Sequence, residues 1–100
     1  MGYNRPVYEW DEAKREANLK KHRLDFRDAY LVYDHPRKIT FRVQKGTELR
    51  FQDIALVEIA GNVLSLVYTL RGQNVRVISF RFASRRERRA YGIQRKSPWR

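Results

Sequence analysis

The side chains in this sequence that could do chemistry are lysine, arginine, histidine and tyrosine. The chain has 22 Lys and Arg residues, two His residues and no cysteine. Neither His22 nor His35 has carboxylates at a metal-ligand spacing, so the sequence predicts no metal site and no cofactor. It also contains no glycine-rich phosphate loop and no nucleophile elbow. The remaining set suits RNA cleavage without a metal, in which cations stabilise the phosphorane while positioned groups move protons.

Two blocks of sequence, near residues 9–22 and 75–91, hold most of the candidates. In the first block, a predicted helix places Lys14, Lys21 and His22 on one face. His22 alone among them has an ordinary pKa near neutrality. The candidate catalytic residues are Lys21, His22, Arg76 and Arg81, and the candidate substrate-binding residues are Lys14, Arg50, Arg85, Arg88 and Arg89.

Each of these candidates also has a purely structural interpretation. Lys21 and His22 suit the last turn of a helix, where cations complement the helix dipole. Arg76 and Arg81 are five apart on a predicted strand, so they face opposite sides unless a bulge intervenes. One of the two arginines could then be structural and paired with an acid such as Glu58. The arginines of the last block could be a solvated helix face that binds phosphates nonspecifically.

The charge of the chain indicates an anionic partner. The formal net charge is +11 on 100 residues. From Arg81 to Arg100 there are eight basic residues against one acid, Glu87. An excess of this size, mostly arginine, is typical of proteins that bind nucleic acid or an acidic protein. The first 20 residues have no apolar signal segment, and no apolar run is long enough to span a membrane, so the sequence predicts a cytoplasmic protein that binds no membrane.

The periodicity of the sequence predicts an α+β domain. Helices are expected after Asp11 and after Asp25, the second with an apolar stripe of Phe26, Ala29, Tyr30 and Tyr33. Four strands should follow, within residues 38–43, 50–60, 63–70 and 75–83, and their short connections imply an antiparallel meander with the helices on one face. Ser84 to Glu87 is a capping box that should start a last helix ended by Gly92. Residues 1–93 therefore form one domain, with residues 94–100 as a basic tail.

The two blocks, in this order and spacing, resemble the BrnT toxins of bacterial type II toxin–antitoxin pairs. The matching residues are Trp10-Asp11, Lys14, Asn18, Lys21-His22, Glu48-Leu49-Arg50, Tyr68-Thr69, Arg76, Ile78-Ser79, Arg81 to Ser84, Arg86 to Arg88 and Tyr91. The family usually has glycine where this chain has Arg23, so a positive φ there would strain the backbone. Residues 51–62 fit the family pattern less well.

The resemblance implies a RelE-like fold and a ribonuclease toxin, mRNA interferase-like and independent of the ribosome, neutralised by a BrnA-like ribbon-helix-helix antitoxin. We therefore expect two N-terminal helices on an antiparallel sheet meander with a short C-terminal helix, and metal-independent endonucleolytic cleavage of RNA. The alternative is a noncatalytic basic module that only binds nucleic acid or an acidic antitoxin. An assay of cleavage separates the two, because an enzyme turns over its substrate whereas a binder saturates with it.

Overall fold

The computed structural model describes residues 6–95, which form an α+β fold of one five-stranded mixed sheet and three α-helices. In chain order the elements are β1 (Tyr8–Glu9), α1 (Glu12–His22), a 3-10 turn (Phe26–Asp28), α2 (Tyr30–Tyr33), β2 (Ile39–Lys45), β3 (Glu48–Val57), β4 (Asn62–Arg71), β5 (Asn74–Phe82) and α3 (Arg85–Arg95). The strand order across the sheet is β1-β5-β4-β3-β2. None of the helices in this part of the chain is long and apolar enough to cross a membrane.

The predicted antiparallel meander is present in β2 to β5, but the sheet is not purely antiparallel. Strand β1 pairs in parallel with β5, with Tyr8 opposite Val75 and Glu9 opposite Arg76. The sequence analysis missed this strand because two residues are too few to show an alternating pattern. Its position matters, since β1 leads directly into α1 and so fixes α1 beside the edge of β5.

Helix α1 begins and ends as its sequence predicts. The Asp11 carboxylate accepts a hydrogen bond from the Lys14 backbone N–H and caps the first turn. Arg23 closes the helix with φ 62° and ψ 23°, a left-handed conformation that glycine adopts without cost, and its N–H donates to the Leu19 carbonyl. For a residue with a Cβ this conformation costs about 1–2 kcal/mol. The strain expected of Arg23 is therefore confirmed.

Asn18 holds α1 against the open edge of β5. Its amide donates to the Phe80 carbonyl at 2.7 Å and accepts from the Phe80 N–H at 3.3 Å, as a neighbouring strand would. The same amide nitrogen donates to the Leu24 carbonyl at 3.0 Å. Because no residue of α1 is buried, these polar bonds rather than an apolar stripe dock the helix.

The expected second helix is divided into two short pieces. Asp25 caps the segment as predicted, but a 3-10 turn comes first and α2 has only four residues. The fully buried side chains of this segment are Phe26, Ala29 and Val32. They are three residues apart, which is the spacing of one face of a 3-10 helix. Tyr30, expected in the apolar stripe, is instead exposed. The prediction of two regular N-terminal helices is thus wrong in its second member.

The helix-covered face of the sheet holds the main core. Phe26, Ala29 and Val32 pack there against apolar side chains of β3, β4 and β5, among them Leu66 and Phe80. The same face contains one fully buried carboxylate, Asp53, which accepts hydrogen bonds from Lys38 Nζ and Thr40 Oγ1, each at 2.7 Å. This pairing explains why the pattern of strand β3 is interrupted at Asp53: a buried carboxylate is tolerated when its partners come with it.

Helix α3 begins with the predicted capping box. Ser84 Oγ accepts from the Glu87 N–H at 3.1 Å, and the Glu87 carboxylate accepts from the Ser84 N–H at 2.9 Å. The helix does not end at Gly92 but continues to Arg95, because Gly92 keeps a helical conformation. Its Tyr91 packs on Ile54, on the face of the sheet opposite the main core. Of the predicted basic tail, residues 96–100 lie outside the described residues.

Candidate functional site

A β-bulge in β5 decides where the two candidate arginines of that strand point. Val67 pairs with Ser79, but the next residue of β4, Tyr68, pairs with Val77, which leaves Ile78 as an extra residue. The register on either side places Arg76 opposite Thr69 and Arg81 opposite Ser65. Thr69 and Ser65 are four apart, so they point to the same face, and paired residues share a face. The bulge therefore turns Arg76 and Arg81 to one side, which the sequence alone left open.

This side is the face away from the main core, called here the open face. Arg50 belongs to it, because it lies two residues before Gln52, whose amide bonds Ser65 Oγ at 3.0 Å on this face. Tyr91 of α3 and Ala83, which precedes that helix, pack with Ile54 and cover one end of the open face. The other end of the open face holds the pocket.

The pocket has a volume of about 190 Å³ and is lined mainly by polar groups. Four cationic side chains reach it: Lys14 from α1, Arg50 from β3, Arg71 from β4 and Arg76 from β5. Two carboxylates, Asp11 and Glu48, line it as well. Four positive against two negative charges leave a cavity suited to an anion.

Ion pairs fix the two arginines of the pocket in place. Arg50 Nε donates to Glu48 Oε1 at 2.7 Å, and Arg76 donates to Glu9 Oε1 at 3.2 Å. A hydrogen bond from Asn74, followed by the bond from Arg76, lowers the pKa of Glu9. Among the described residues, Lys14 Nζ makes no hydrogen bond and no ion pair. Lys14, Arg50 and Arg76 thus present N–H donors around one cavity, and the two arginines are oriented by carboxylates.

Arg81 is in a different situation at the α3 end of the open face. Its guanidinium donates two hydrogen bonds to the Glu87 carboxylate, at 2.8 and 2.9 Å. Glu87 also accepts from the Gln52 amide at 2.8 Å and from the Ser84 N–H. Hydrogen bonds from Arg81, above all, hold the pKa of Glu87 down at about 2. The charge of Arg81 is therefore already neutralised within the protein, by Glu87 and not by the Glu58 suggested from the sequence.

His22 does not line the pocket, and the charges that act on it are those of Lys21 and Arg81. Partial burial, and then the positive charges of Lys21 and Arg81, lower the pKa of its imidazole below the ordinary 6.5. This shift favours the neutral form of the ring, which can accept a proton. Lys21 is exposed on the last turn of α1. The structure thus separates the predicted residues into two groups: Lys14, Arg50 and Arg76 line the pocket, whereas Lys21, His22 and Arg81 do not.

The predicted arginines of α3 form a third set on the outside of that helix. Arg85, Arg88 and Arg89 are exposed. Arg88 donates to the Ala83 carbonyl at 3.0 Å, whereas Arg85 and Arg89 make no side-chain hydrogen bond within residues 6–95. None of the three lines the pocket. They add positive charge to the exposed surface of α3.

Sequence reasoning missed several residues of the pocket and of the open face. Glu48 belongs to the family motif but has no role assigned from the sequence, and Arg71 lies just after the strand predicted within residues 63–70. Gln52 interrupts the alternating pattern of its strand, which is the signal that could have identified it as a polar residue on the open face. Within residues 6–95 no group of three or more His, Asp or Glu side chains is placed to hold a metal ion.

Comparison with known proteins identifies the family of the chain. A family model described as the ribonuclease toxin BrnT of type II toxin–antitoxin systems matches residues 10–87, which is 78 of the 100 residues. The matched range includes α1, the whole meander and the capping box of α3, and so all the residues of the pocket. A search of the curated proteins gives no match. The chain belongs to the BrnT family, the ribonuclease toxins of type II toxin–antitoxin systems.

Proposed function

We propose that this protein is a metal-independent endoribonuclease of the mRNA interferase type that cleaves RNA on the open face of its sheet. The observation that carries the proposal is the bulge at Ile78, which turns Arg76 to the same face as Arg50 and Arg81. Without the extra residue, Arg76 and Arg81 would lie on opposite faces, and one of them would point into the core.

The pocket supplies the groups that cleavage of a phosphodiester needs. The ribose 2′-oxygen attacks phosphorus, negative charge develops on the phosphorane, and the 5′-oxygen leaves. Arg50 and Arg76 are held by Glu48 and Glu9 with their remaining N–H groups free to bind the non-bridging oxygens. Such preorganised donors stabilise the transition state most where they need not reorient. The products are a 2′,3′-cyclic phosphate and a 5′-hydroxyl.

The second group of residues extends the site along one strand of RNA. Thr69 and Ser65, opposite Arg76 and Arg81, are about 13 Å apart at the usual rise of a strand. We propose that Lys21, His22 and Arg81 contact the same RNA strand beyond the nucleotide next to the one cleaved. Arg85, Arg88 and Arg89 would then hold phosphates further along, which adds affinity but no sequence information.

The regulatory partner follows from the family and from the charge. We propose that an acidic BrnA-like ribbon-helix-helix antitoxin neutralises the protein by covering the open face, which RNA would also need. We further propose that the arrangement of α1 against a four-stranded meander is a RelE-like fold. We also propose that the protein acts in the cytoplasm, where mRNA is available. The net charge of +11 supports an acidic partner.

The test is cleavage of a single-stranded RNA by the purified protein in EDTA. We expect many substrate molecules to be cut per protein molecule, and the ends to be 2′,3′-cyclic phosphate with 5′-hydroxyl. Activity that disappears on chelation and returns with a divalent ion would contradict the metal-independent mechanism. Saturable binding with no product would favour the noncatalytic module instead.

A further inference from the structure

The proposed chemistry needs a proton acceptor for the ribose 2′-hydroxyl. The cations of the pocket do not supply one. His22 does not line the pocket, and the charges that act on it are those of Lys21 and Arg81. Arginine is always protonated and cannot act as a base. The acceptor at the pocket must therefore be sought among its carboxylates.

Three carboxylates lie in or beside the pocket, and hydrogen bonds distinguish them. Both oxygens of Glu9 are engaged, one by Asn74 at 2.8 Å and one by Arg76 at 3.2 Å. Asp11 uses Oδ1 to accept from the Lys14 backbone N–H, so its carboxylate is oriented as the cap of α1. Glu48 uses one oxygen, Oε1, to accept from Arg50 Nε. Its other oxygen makes no hydrogen bond with any described residue, and its side chain is 41% exposed.

We propose that Glu48 is the general base of the reaction, oriented by Arg50. Glu48 Oε2 takes the 2′-hydroxyl proton as the 2′-oxygen–phosphorus bond forms and the bond from phosphorus to the 5′-oxygen breaks. The Lys14 ammonium, which lines the same pocket, gives the leaving 5′-oxygen its proton. Glu48 then releases its proton to water, and Lys14 regains one from water. This inference rests on the proposed ribonuclease function and adds the identity of the base and of the acid.

A base held by a hydrogen bond from a third group is the usual arrangement in nucleophile activation. Here the third group also binds substrate, because Arg50 has N–H groups beyond the one given to Glu48. Binding of the phosphate by Arg50 would therefore place the attacked phosphorus beside the free oxygen of Glu48. The pair thus couples positioning to proton transfer, which neither His22 nor Asp11 is placed to do.

The decisive variant is Glu48→Gln, measured in EDTA at saturating and limiting RNA. The amide oxygen of glutamine still accepts from Arg50 Nε, so a purely positioning role would leave kcat unchanged. A role as the base predicts a fall in kcat of about 10²–10⁴-fold with KM unchanged or lower, since one negative charge leaves the pocket. Glu48→Asp keeps a carboxylate and should recover part of the lost kcat. Unchanged kcat in Glu48→Gln would overturn the proposal.

The matched control is Glu58→Gln, which makes the same change of side chain and charge outside the pocket. Glu58 is exposed just after the end of β3 and does not line the pocket. We expect its kcat to stay near the wild-type value. An equal loss of kcat in Glu58→Gln and Glu48→Gln would assign the effect to net charge alone and contradict a base at Glu48.

A substrate with sulfur in place of the leaving 5′-oxygen separates the base from the acid. A thiolate leaves without a proton, so this substrate should restore the turnover lost in Lys14→Ala and should not restore the turnover lost in Glu48→Gln. Restoration in Glu48→Gln would overturn the proposal. A wild-type protein that cleaves no RNA in EDTA would contradict the proposed function itself, whereas an active wild type with an equally active Glu48→Gln variant would contradict this inference alone.

Discussion

The two ends of the open face carry arginines that are used in different ways. At the pocket end, four cations face two carboxylates, and Arg50 and Arg76 each keep N–H groups free beyond one ion pair. At the α3 end, Arg81 gives two hydrogen bonds to Glu87, which also binds Gln52 and the Ser84 N–H. The pocket end keeps positive charge that can bind a ligand. At the α3 end, the charge of Arg81 instead attaches α3 to the sheet. The number of arginines in a segment therefore says little about where an anion binds.

Among the arginines of the open face, the largest expected effect comes from removing Arg76. If the pocket stabilises the phosphorane, Arg76→Ala should lower turnover at saturating RNA by about 10²–10³-fold, as loss of one preorganised donor usually does. Steady-state cleavage in EDTA, with circular dichroism to confirm folding, measures this. Arg81→Ala should lose less, because Glu87 already neutralises that charge.

Arg42→Ala is the matched control for this comparison. Arg42 is an exposed arginine on β2 whose pairing partner, Phe51, stacks on Tyr68 on the helix-covered face. We expect its turnover to stay near the wild-type value. If Arg81→Ala lost more turnover than Arg76→Ala, the active site would have to move from the pocket to the α3 end.

A smaller effect, on stability rather than activity, should come from Glu87. Its folded pKa of about 2 lies below its ordinary 4.5, so its contribution to folding is complete above about pH 4.5 and is lost as the pH falls towards 2. Glu87→Gln should therefore unfold more easily than wild type at pH 7, and the difference should shrink to nearly nothing by pH 2. Denaturant unfolding at a series of pH values measures this. A difference that persists unchanged at pH 2 would mean that the charge of Glu87 does not attach α3.

The smallest effect is expected from the exposed arginines of α3. A double Arg85→Ala and Arg89→Ala variant should bind RNA less tightly at every sequence. The slope of the logarithm of its RNA-binding constant against the logarithm of the salt concentration should become less steep. The change should be about 0.7 for each RNA phosphate that the variant no longer neutralises. Turnover at saturating RNA should be unchanged. A drop in maximal turnover with unaltered salt dependence would give these arginines a role in the reaction and not only in binding.

The sequence predicted those parts of the fold that depend on neighbouring residues. The caps at Asp11 and Ser84 and the strain at Arg23 are confirmed, because each depends on residues within one helical turn. Strand β1 was missed, and Asp53 could not be recognised as buried, because their partners lie far away in the sequence: β5 for the first, Lys38 and Thr40 for the second.

The candidate site was predictable in its residue types but not in its grouping. Lys14, Arg50 and Arg76 were all identified, yet they come from three elements, and only the bulge at Ile78 decides that Arg76 faces the other two. A bulge is a property of the pairing between two strands, and it leaves no pattern in one strand alone. The carboxylate of Glu48 was overlooked for a different reason: a search for an anion-binding site considers positively charged side chains and passes over carboxylates.

The most direct test of the pocket as the RNA-binding site is an NMR titration of arginine side chains. The ligand is a single-stranded RNA with 2′-O-methyl riboses, which binds but cannot be cleaved because the attacking hydroxyl is blocked. Nε–H resonances of Arg50 and Arg76 should shift most, those of Arg85 and Arg89 less, and that of Arg42 not at all. Shifts confined to α3, with Arg50 and Arg76 unmoved, would contradict the account that the bulged open face holds the substrate.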